Sequence, residues 1–516
     1  MKRQLSAVLL SAALLSAGWL GVTGFTLLAA LVPLLSLSES YDSSRRSWWK
    51  MCGWASLTFV LWNAATIWWV WIASPLGPIV ATIVSTFWNL VAFMTYHYVS
   101  KRAARSLAYT VLVTLWIATE YIYYSAQVMS FPWLLLGHGF SGDVWAVQWY
   151  EYTGVFGGTL WVLLANIAIF EALRRRTVRR MATAAATVLL PVIVSAVIYL
   201  TYKPSEQSVT VSVIQPNIPC YEKFDREHEH DNFEGIVSLL REVPPQAAFA
   251  LLPETAITYR ICEGERSSVV DYLTMSVFNR SNSGTSIISG ATTTRYYNSG
   301  EQTITARSDG ERFYDHFNSA LLIDPRGIVD IYHKGRLLIG VEALPLRGLW
   351  DILGVDLGGI SGQLGWGTEY KTFASRGVKM GPAICYEGLY SDYFAGFVRE
   401  GAEVMGVISN DGWWGDTPGH KRLFDFCRLR AIETRRAIAR SANTGKSGFI
   451  TPRGEVVESM GWDRRGVMTQ EIEVRHDKTA YVVYGDWVAR TSSLVALLSL
   501  LYYMAYRVRK RNHLVE

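Results

Sequence analysis

Charge is nearly missing from the first part of the chain. Between Leu5 and Tyr202 acidic and basic side chains are confined to short clusters, and the apolar runs between them are too long for an ordinary soluble fold. No Cys-x-x-Cys pair occurs among the five cysteines, Cys52, Cys220, Cys262, Cys385 and Cys427, which argues against a zinc knuckle or a thioredoxin-like motif. An odd count leaves at least one thiol unpaired within the chain. Cys220 and Cys262 are candidates for a bridge that spacing alone does not decide. No glycine-rich phosphate loop or metal-ligand cluster stands out, so no cofactor is expected. The net charge is +5, but the basic residues gather beside apolar runs: Lys2 and Arg3, Arg45 and Arg46, Lys101 to Arg105, Arg174 to Arg180, Arg507 to Arg511. That distribution belongs to loops flanking membrane helices, and nucleic acid is not an expected partner.

A membrane-spanning helix needs about 20 largely apolar residues. The pattern predicts about eight, over 5–20, 22–37, 51–72, 79–99, 107–127, 150–173, 184–202 and 492–506. The first is read as a retained helix rather than a cleaved signal, because the apolar run continues and a second follows at once. With Met1 inside, every basic cluster falls inside, together with the C-terminus. The loops near Pro75 and over 129–149 then fall outside and contain no Lys or Arg. The second of these, FPWLLLGHGFSGDVWAVQW at 131–149, reads either as an interfacial loop anchored by Trp133, Trp145 and Trp149 or as a wall of a lipid-access site.

The composition changes at residue 205. The expected organisation is a transmembrane domain over 1–204, an extracytoplasmic domain over 205–488, and a final helix with a basic tail over 489–516. In the middle segment, short apolar runs end in polar residues at 209–214, 248–252, 286–289, 320–323, 379–384 and 404–408. Amphipathic helical stretches lie between them near 226–241, 267–279, 389–400 and 421–439. Short buried strands alternating with helices indicate an α/β domain. Glu254 closes FALLPETA, Lys334 lies in DIYHKGRL, and Cys385 closes KMGPAICYE. A thiol needs a base to take its proton and a cation to stabilise the anions that follow, and Glu and Lys supply those functions. Singly, each has a plainer reading: a cysteine after an apolar strand is often a small core residue, and Glu or Lys beside a turn is usually solvated.

As a set, PETA, YHK and ICYE in the order Glu, Lys, Cys resemble the nitrilase superfamily of carbon–nitrogen hydrolases. The resemblance covers roughly 208–485 and is reinforced by ISNDGWWGDTPGH at 408–420 and RSANTGKSGFITPRGE at 440–455. It implies a four-layer αββα sandwich, with Glu254 as general base, Lys334 at the oxyanion and Cys385 as the acylated nucleophile. Combined with the membrane helices, the whole chain resembles the apolipoprotein N-acyltransferase family: a multi-helix transmembrane bundle plus a nitrilase-like α/β domain in a bacterial inner membrane. That family moves an acyl chain from a phospholipid, usually phosphatidylethanolamine, to the α-amine of a diacylglyceryl-cysteine on an apolipoprotein. The resemblance extends to Glu342 in GVEALP, to Tyr386 and Glu387 beside the nucleophile, and to Phe224, which replaces a common tryptophan in a Lys-Trp pair. GVEALPLRG departs from the commoner FGEYVP pattern of a lid-like loop. Trp413 and Trp414 suit lipid contact, with core packing as the plainer reading. Asn410 and Asp411 also fit a simple turn after a strand.

Two other functions share parts of this pattern. A tethered amidase acting on a soluble substrate would keep the triad but needs no aromatic 131–149 loop and no seven preceding helices. A transporter or receptor with an inactive nitrilase-like domain would carry a series of intramembrane charges. Glu120 and Glu171 lie near helix ends and form no such series.

Overall fold

The computed structural model describes residues 1–126, 130–281, 284–298, 300–339, 341–343 and 364–512. The chain divides into two compact units. One comprises Met1–Trp71, Pro75–Thr201 and Tyr484–Glu516; the other comprises Ile72–Ser74 and Tyr202–Val483.

Among the described residues of the first unit four helices are long and apolar enough to cross a membrane: Gly77–Ser100, Tyr150–Arg175, Val178–Thr201 and Trp487–Lys510. Leu189, Leu190, Ile193 and Val197 remain exposed on the third, as expected of a surface facing lipid. Two more long helices, Arg45–Ile67 and Arg105–Ser125, occupy the places of the expected third and fifth spans. The expected pair over 5–20 and 22–37 takes a different form. A helix at Lys2–Ser16 is followed by a 3-10 turn at Gly24–Thr26 and two short helices, Leu27–Ala30 and Val32–Glu39. Pro33 has no N–H to give and disfavours a continuous helix. The interruption is satisfied from a distant helix: Asn166 Oδ1 accepts from Leu31 N at 2.7 Å, and its Nδ2 donates to Leu27 O at 2.7 Å. A break in a membrane helix persists only when the freed backbone groups find such partners.

The 131–149 segment folds inward as three 3-10 turns, Pro132–Leu134, Leu136–Phe140 and Val144–Ala146. Glu120 holds it, accepting from Leu136 N at 3.1 Å while Trp116 Nε1 and Thr159 Oγ1 donate to the same carboxylate. Trp133 is buried and Trp145 is exposed.

Among the described residues the second unit holds two sheets. The first is built from β1 (Ser208–Gln215), β2 (Phe249–Leu251), β3 (Ile257–Cys262), β4 (Ser286–Tyr297), β5 (Arg307–Ser308), β6 (Phe313–Asp324), β7 (Gly327–His333) and β14 (Gly466–Glu473). It runs β14-β1-β2-β4-β6-β5, with β3 beside β4 and β7 beside β6. The second is built from β8 (Phe373–Ser375), β9 (Val378–Ile384), β10 (Val404–Ser409), β11 (Ile438–Ala442), β12 (Ser447–Ile450) and β13 (Val456–Met460). It runs β13-β12-β11-β10-β9-β8. Strands β1, β2 and β4 pair in parallel, as do β9, β10 and β11. Strands β10 and β11 are buried along their whole length, the pattern of a covered parallel sheet. The sheets pack on each other through β1 with β11 and through β6 with β9. Helices Glu229–Leu240 and Ser268–Ser281 cover one outer face, and Ser391–Arg399 and Pro418–Thr434 the other. The result is a four-layer αββα sandwich.

Three expected elements are longer or shorter than their apolar signal. β4 and β6 each run 12 residues, because the polar ends beyond 289 and before 320 pair with each other as an antiparallel ladder. The helix expected over 421–439 ends at Thr434, where Arg435 turns left-handed at φ 49°, and the chain continues directly into β11.

Candidate functional site

The polar residues that close the apolar strands meet in one place. Glu254 follows β2, Lys334 follows β7, Cys385 follows β9, and Asn410 and Asp411 follow β10. Strand ends held by a packed sheet fix side chains to within a narrow geometry.

Lys334 lies at the centre and is 2% exposed. Its Nζ donates to Glu254 Oε1 at 2.9 Å and to Glu342 Oε1 at 3.0 Å, and it lies 2.9 Å from Glu342 Oε2. Glu342 is therefore buried against the lysine rather than exposed on a surface loop. The continuation of its motif, 344–363, lies outside the described residues, including most of the expected lid-like stretch. Asn318, inward on β6, donates one amide to both carboxylates, 2.7 Å to Glu254 Oε1 and 2.6 Å to Glu342 Oε1. Glu254 Oε2 accepts from Asn410 N at 3.0 Å.

Charge balance follows from these contacts. Burial alone would push the Lys334 ammonium down, but Glu254 and Glu342 outweigh it and hold its pKa well above the lysine range. Burial alone would raise Glu254, but Lys334, with Asn318 and Lys223, holds it below the usual carboxylate range. The Cys385 thiol is pushed up, first by burial and then by the Glu254 carboxylate, against the opposing pull of Lys334. The resting site is thus a neutral thiol beside an ionised carboxylate and a fixed ammonium. Such a thiol becomes a nucleophile when the carboxylate takes its proton during attack, rather than as a preformed thiolate.

The backbone here is strained where the chemistry sits. Cys385 adopts φ 47° at the turn between β9 and the 3-10 segment Cys385–Leu389, and Thr255 adopts φ 51° directly after Glu254. Non-glycine residues enter this region at a cost of order 1–3 kcal/mol and stay there only when their surroundings compel them. Glu387 compels the first. Fully buried, it accepts from Ile384 N at 2.7 Å, Gly335 N at 2.7 Å and Tyr332 Oη at 2.6 Å, so it ties the turn of the cysteine to the turn of the lysine. Burial raises its carboxyl to about 7 despite those donors. The Glu254 turn lies so close to β4 that any Cβ at Gly290 would meet Thr255 N at 2.4 Å.

A second buried layer supports the floor. Arg440 donates to both oxygens of Asp411, each at 3.0 Å, with both side chains fully buried. Ser409 Oγ donates to the same carboxylate and also bears on the Cys385 thiol. Asp411 therefore does more than close a turn. Asn443 ties the loop after β1 in place, with Nδ2 to Ile218 O at 2.7 Å and Oδ1 accepting from Ile218 N at 3.1 Å.

The remaining expected residues are distributed unevenly. Tyr386 is buried against Tyr390, ring centroids 5.5 Å apart. Phe224 is 43% exposed. Trp414 is buried, so of the tryptophan pair only Trp413 keeps partial exposure, edge-on to the exposed Tyr221 at 5.6 Å. Cys220 and Cys262 form no bridge; all five cysteines are free thiols. Among the described residues no group of three His, Cys, Asp or Glu side chains is placed to hold a metal.

Asn318 and Arg440 complete the site beyond what sequence reasoning singled out. For Asn318 a signal existed: a lone amide inside the apolar strand FNSALLID. A polar side chain in such a position must find buried partners.

Residues 210–480 match the carbon-nitrogen hydrolase family. The chain belongs to that family. Residues 6–168 match the apolipoprotein N-acyltransferase N-terminal domain, which marks the protein as a membrane-bound acyltransferase member. A relative from Chlorobaculum tepidum, named apolipoprotein N-acyltransferase, is 29% identical over 482 residues, covering 89% of this chain and 88% of its own. One of the same name from Gloeobacter violaceus is 24% identical over 508 residues, covering 94% and 90%. Among solved structures, Saccharomyces cerevisiae Nit3, a member of branch 10 of the nitrilase superfamily, is similar at 15% identity and a TM-score of 0.38, over 52% of this chain and 93% of that one.

Proposed function

We propose that this protein transfers a fatty acyl chain from a membrane phospholipid, phosphatidylethanolamine first among candidates, to the α-amino group of diacylglyceryl-cysteine on an apolipoprotein. The observation that carries this reading is the buried Glu254–Lys334–Glu342 cluster beside Cys385, on a chain with the membrane helices of the apolipoprotein N-acyltransferases.

The reaction runs in two steps. Glu254 takes the Cys385 proton as sulfur attacks the ester carbonyl. The oxyanion is met by the Lys334 ammonium and a backbone N–H beside Cys385. The tetrahedral adduct collapses, the C–O bond breaks, and the leaving lysophospholipid oxygen takes the proton from Glu254. The thioester is then attacked by the lipoprotein α-amine, Glu254 takes the amine proton, the C–S bond breaks, and Glu254 passes the proton to sulfur to return the thiol. Glu342 shares the lysine with Glu254, so one carboxylate orients the ammonium while the other exchanges protons. Glu387 holds Cys385 and Lys334 in register, and Tyr386 packs beside the nucleophile. Phe224 and Trp413 offer exposed aromatic surface for acyl chains, and the buried Trp414, next to Trp413 in the chain, is assigned a supporting role. Transfer to an amine rather than to water requires a dry site.

The test is product formation. Purified protein given phospholipid and a diacylated lipopeptide with a free N-terminus should yield the triacylated lipopeptide. The N-acetylated lipopeptide should yield none, because its nitrogen is no longer nucleophilic. Release of free fatty acid alone would make the protein a lipase and remove the transfer step.

The protein is a multi-pass bacterial inner-membrane protein, and we infer that residues 205–488 lie on the periplasmic side with both termini in the cytoplasm. The basic clusters support this orientation. Reporter fusions at Gly300 and at Glu516 are expected to report outside and inside respectively. A cytoplasmic signal from the Gly300 fusion would reverse the assignment.

A further inference from the structure

Lys223 is a buried cation for which the reaction above has no use. It lies in the loop after β1, is 1% exposed, and among the described residues makes no ion pair with a carboxylate. Its ammonium is spent on one turn: Nζ donates to the Glu254 carbonyl oxygen at 2.8 Å and to Thr255 Oγ1 at 2.9 Å. Thr255 Oγ1 donates to the same carbonyl at 2.8 Å, and Thr255 is the residue held at φ 51°. Burying a lysine without a carboxylate partner is costly, and a loop on a domain surface has water at hand as the alternative. The loop is nevertheless tied inward at several points. Asn217 N bonds to Asn443 O at 2.9 Å, Ile218 bonds to the Asn443 side chain, and Cys220 Sγ donates to Asn410 Oδ1 at 3.2 Å. Asn410 in turn donates its backbone N–H to Glu254 Oε2. The loop thus reaches Glu254 from two sides, at its backbone through Lys223 and at its carboxylate through Asn410.

We propose that Lys223 is a positioning residue for the general base: it clamps the strained Glu254–Thr255 turn, and its charge keeps the Glu254 carboxylate ionised in the resting site, ready to take the Cys385 proton. The second role follows from the sharing of Lys334, which Glu254 and Glu342 divide between them in the resting state. A second, fixed cation behind Glu254 favours the ionised base until the thiol gives up its proton. The charged and titratable groups bearing on Glu254 are Lys334, Glu342, Lys223 and the Cys385 thiol; those bearing on Lys223 are Glu254 and Cys220. Burial lowers Lys223 to about 8, against the opposing pull of Cys220 and Glu254, so at neutral pH it is charged.

This inference rests on Glu254 and Cys385 acting as proposed, and the experiment separates the two. Full-length protein in detergent is mixed with excess phospholipid, and the rate at which the Cys385 peptide gains acyl mass is followed from pH 5 to 9 by quench and mass spectrometry. Wild type, Lys223→Met, Lys223→Gln and Thr255→Val are compared. Lys223→Met should acylate roughly 30-fold more slowly at neutral pH, with its acid limb displaced upward by at least about one pH unit, since an unsupported carboxylate protonates more readily. Lys223→Gln keeps a donor for the Glu254 carbonyl without the charge, and should show the same displacement with a smaller loss of rate. Thr255→Val keeps the cation and should leave the acid limb in place. Should Lys223→Met fail to fold, Lys223→Gln carries the test. Wild-type rates in Lys223→Gln, or a uniform loss with an unmoved acid limb, would overturn the proposal and leave Lys223 a packing residue. A wild-type protein that gains no acyl mass would instead remove the reading of Cys385 on which the proposal stands.

Discussion

Replacing Cys385 with serine is expected to lower turnover by at least about 10⁴-fold while the protein remains folded and inserted. The substitution keeps the shape of the side chain and the left-handed turn at φ 47° that presents it. It changes the chemistry twice. A hydroxyl is far harder to ionise than a thiol, and this environment already disfavours the anion through burial and the neighbouring Glu254 carboxylate. An ester formed on serine would also be a poorer acyl donor to an amine than a thioester. Steady-state formation of triacylated lipopeptide measures the loss. Circular dichroism and membrane fractionation check that the protein remains folded and inserted. Residual activity within tenfold of wild type would take the nucleophile role away from Cys385.

Lys334→Arg is expected to cost on the order of 10³-fold in turnover, although the charge is conserved. The ammonium sits in a space bounded by two carboxylates at 2.9 to 3.0 Å and by the Asn318 amide that bridges the same carboxylates. A planar guanidinium is bulkier and presents its donors as a fixed fork, so it reaches the carboxylates only by displacing one of them. Near-normal turnover would remove Lys334 from the mechanism. Lys334→Met has a different signature. Without the cation, Glu254 and Glu342 face each other in a buried site, and such unpaired burial typically costs about 3–5 kcal/mol of stability. The sign of the pH dependence follows from the shifts. Glu254 is held below its ordinary value, so its stabilising contribution is present above the ordinary carboxylate pKa and is lost as pH falls through the folded one. Lys334 is held above its ordinary value, so its contribution is present below the ordinary lysine pKa and is lost as pH rises through the folded one. Both are in force at neutral pH. Lys334→Met should therefore lose thermal stability most at neutral pH and recover part of it in mild acid, as one of the stranded carboxyls takes a proton.

How much of the site is legible in the sequence depends on how far apart the partners lie. Glu254 and Cys385 each close a short apolar run and Lys334 follows a mixed one, and their grouping into one site comes from the resemblance of their motifs and order to the nitrilase superfamily. Asn318 bonds to a residue 64 positions away and Arg440 to one 29 positions away, and nothing local at either position announces the partner. The same holds in the membrane unit. Apolar length correctly places helices near 79–99, 150–173, 184–202 and 492–506, but the break at Leu31 depends on Asn166, 135 residues along the chain. Strand lengths fail for a related reason: the polar halves of β4 and β6 pair with each other along the ladder, so hydrophobic pattern ends before the ladder does. Exposure is the least legible property. Trp413 and Trp414 are adjacent in sequence, yet only the first retains access to the surface.

The most direct test of the account is the mass of the Cys385 peptide after the wild-type protein meets phospholipid alone. With no amine present to resolve the intermediate, the acyl group should remain on sulfur. The peptide should gain the mass of one fatty acyl chain, lose it on treatment with hydroxylamine at neutral pH, and lose it likewise when a diacylated lipopeptide with a free N-terminus is added. The adduct should be absent from Cys385→Ser under the same treatment and should not appear on Cys220 or Cys427. An unmodified Cys385 peptide, in protein that still converts lipopeptide to its triacylated form, would contradict the covalent mechanism outright.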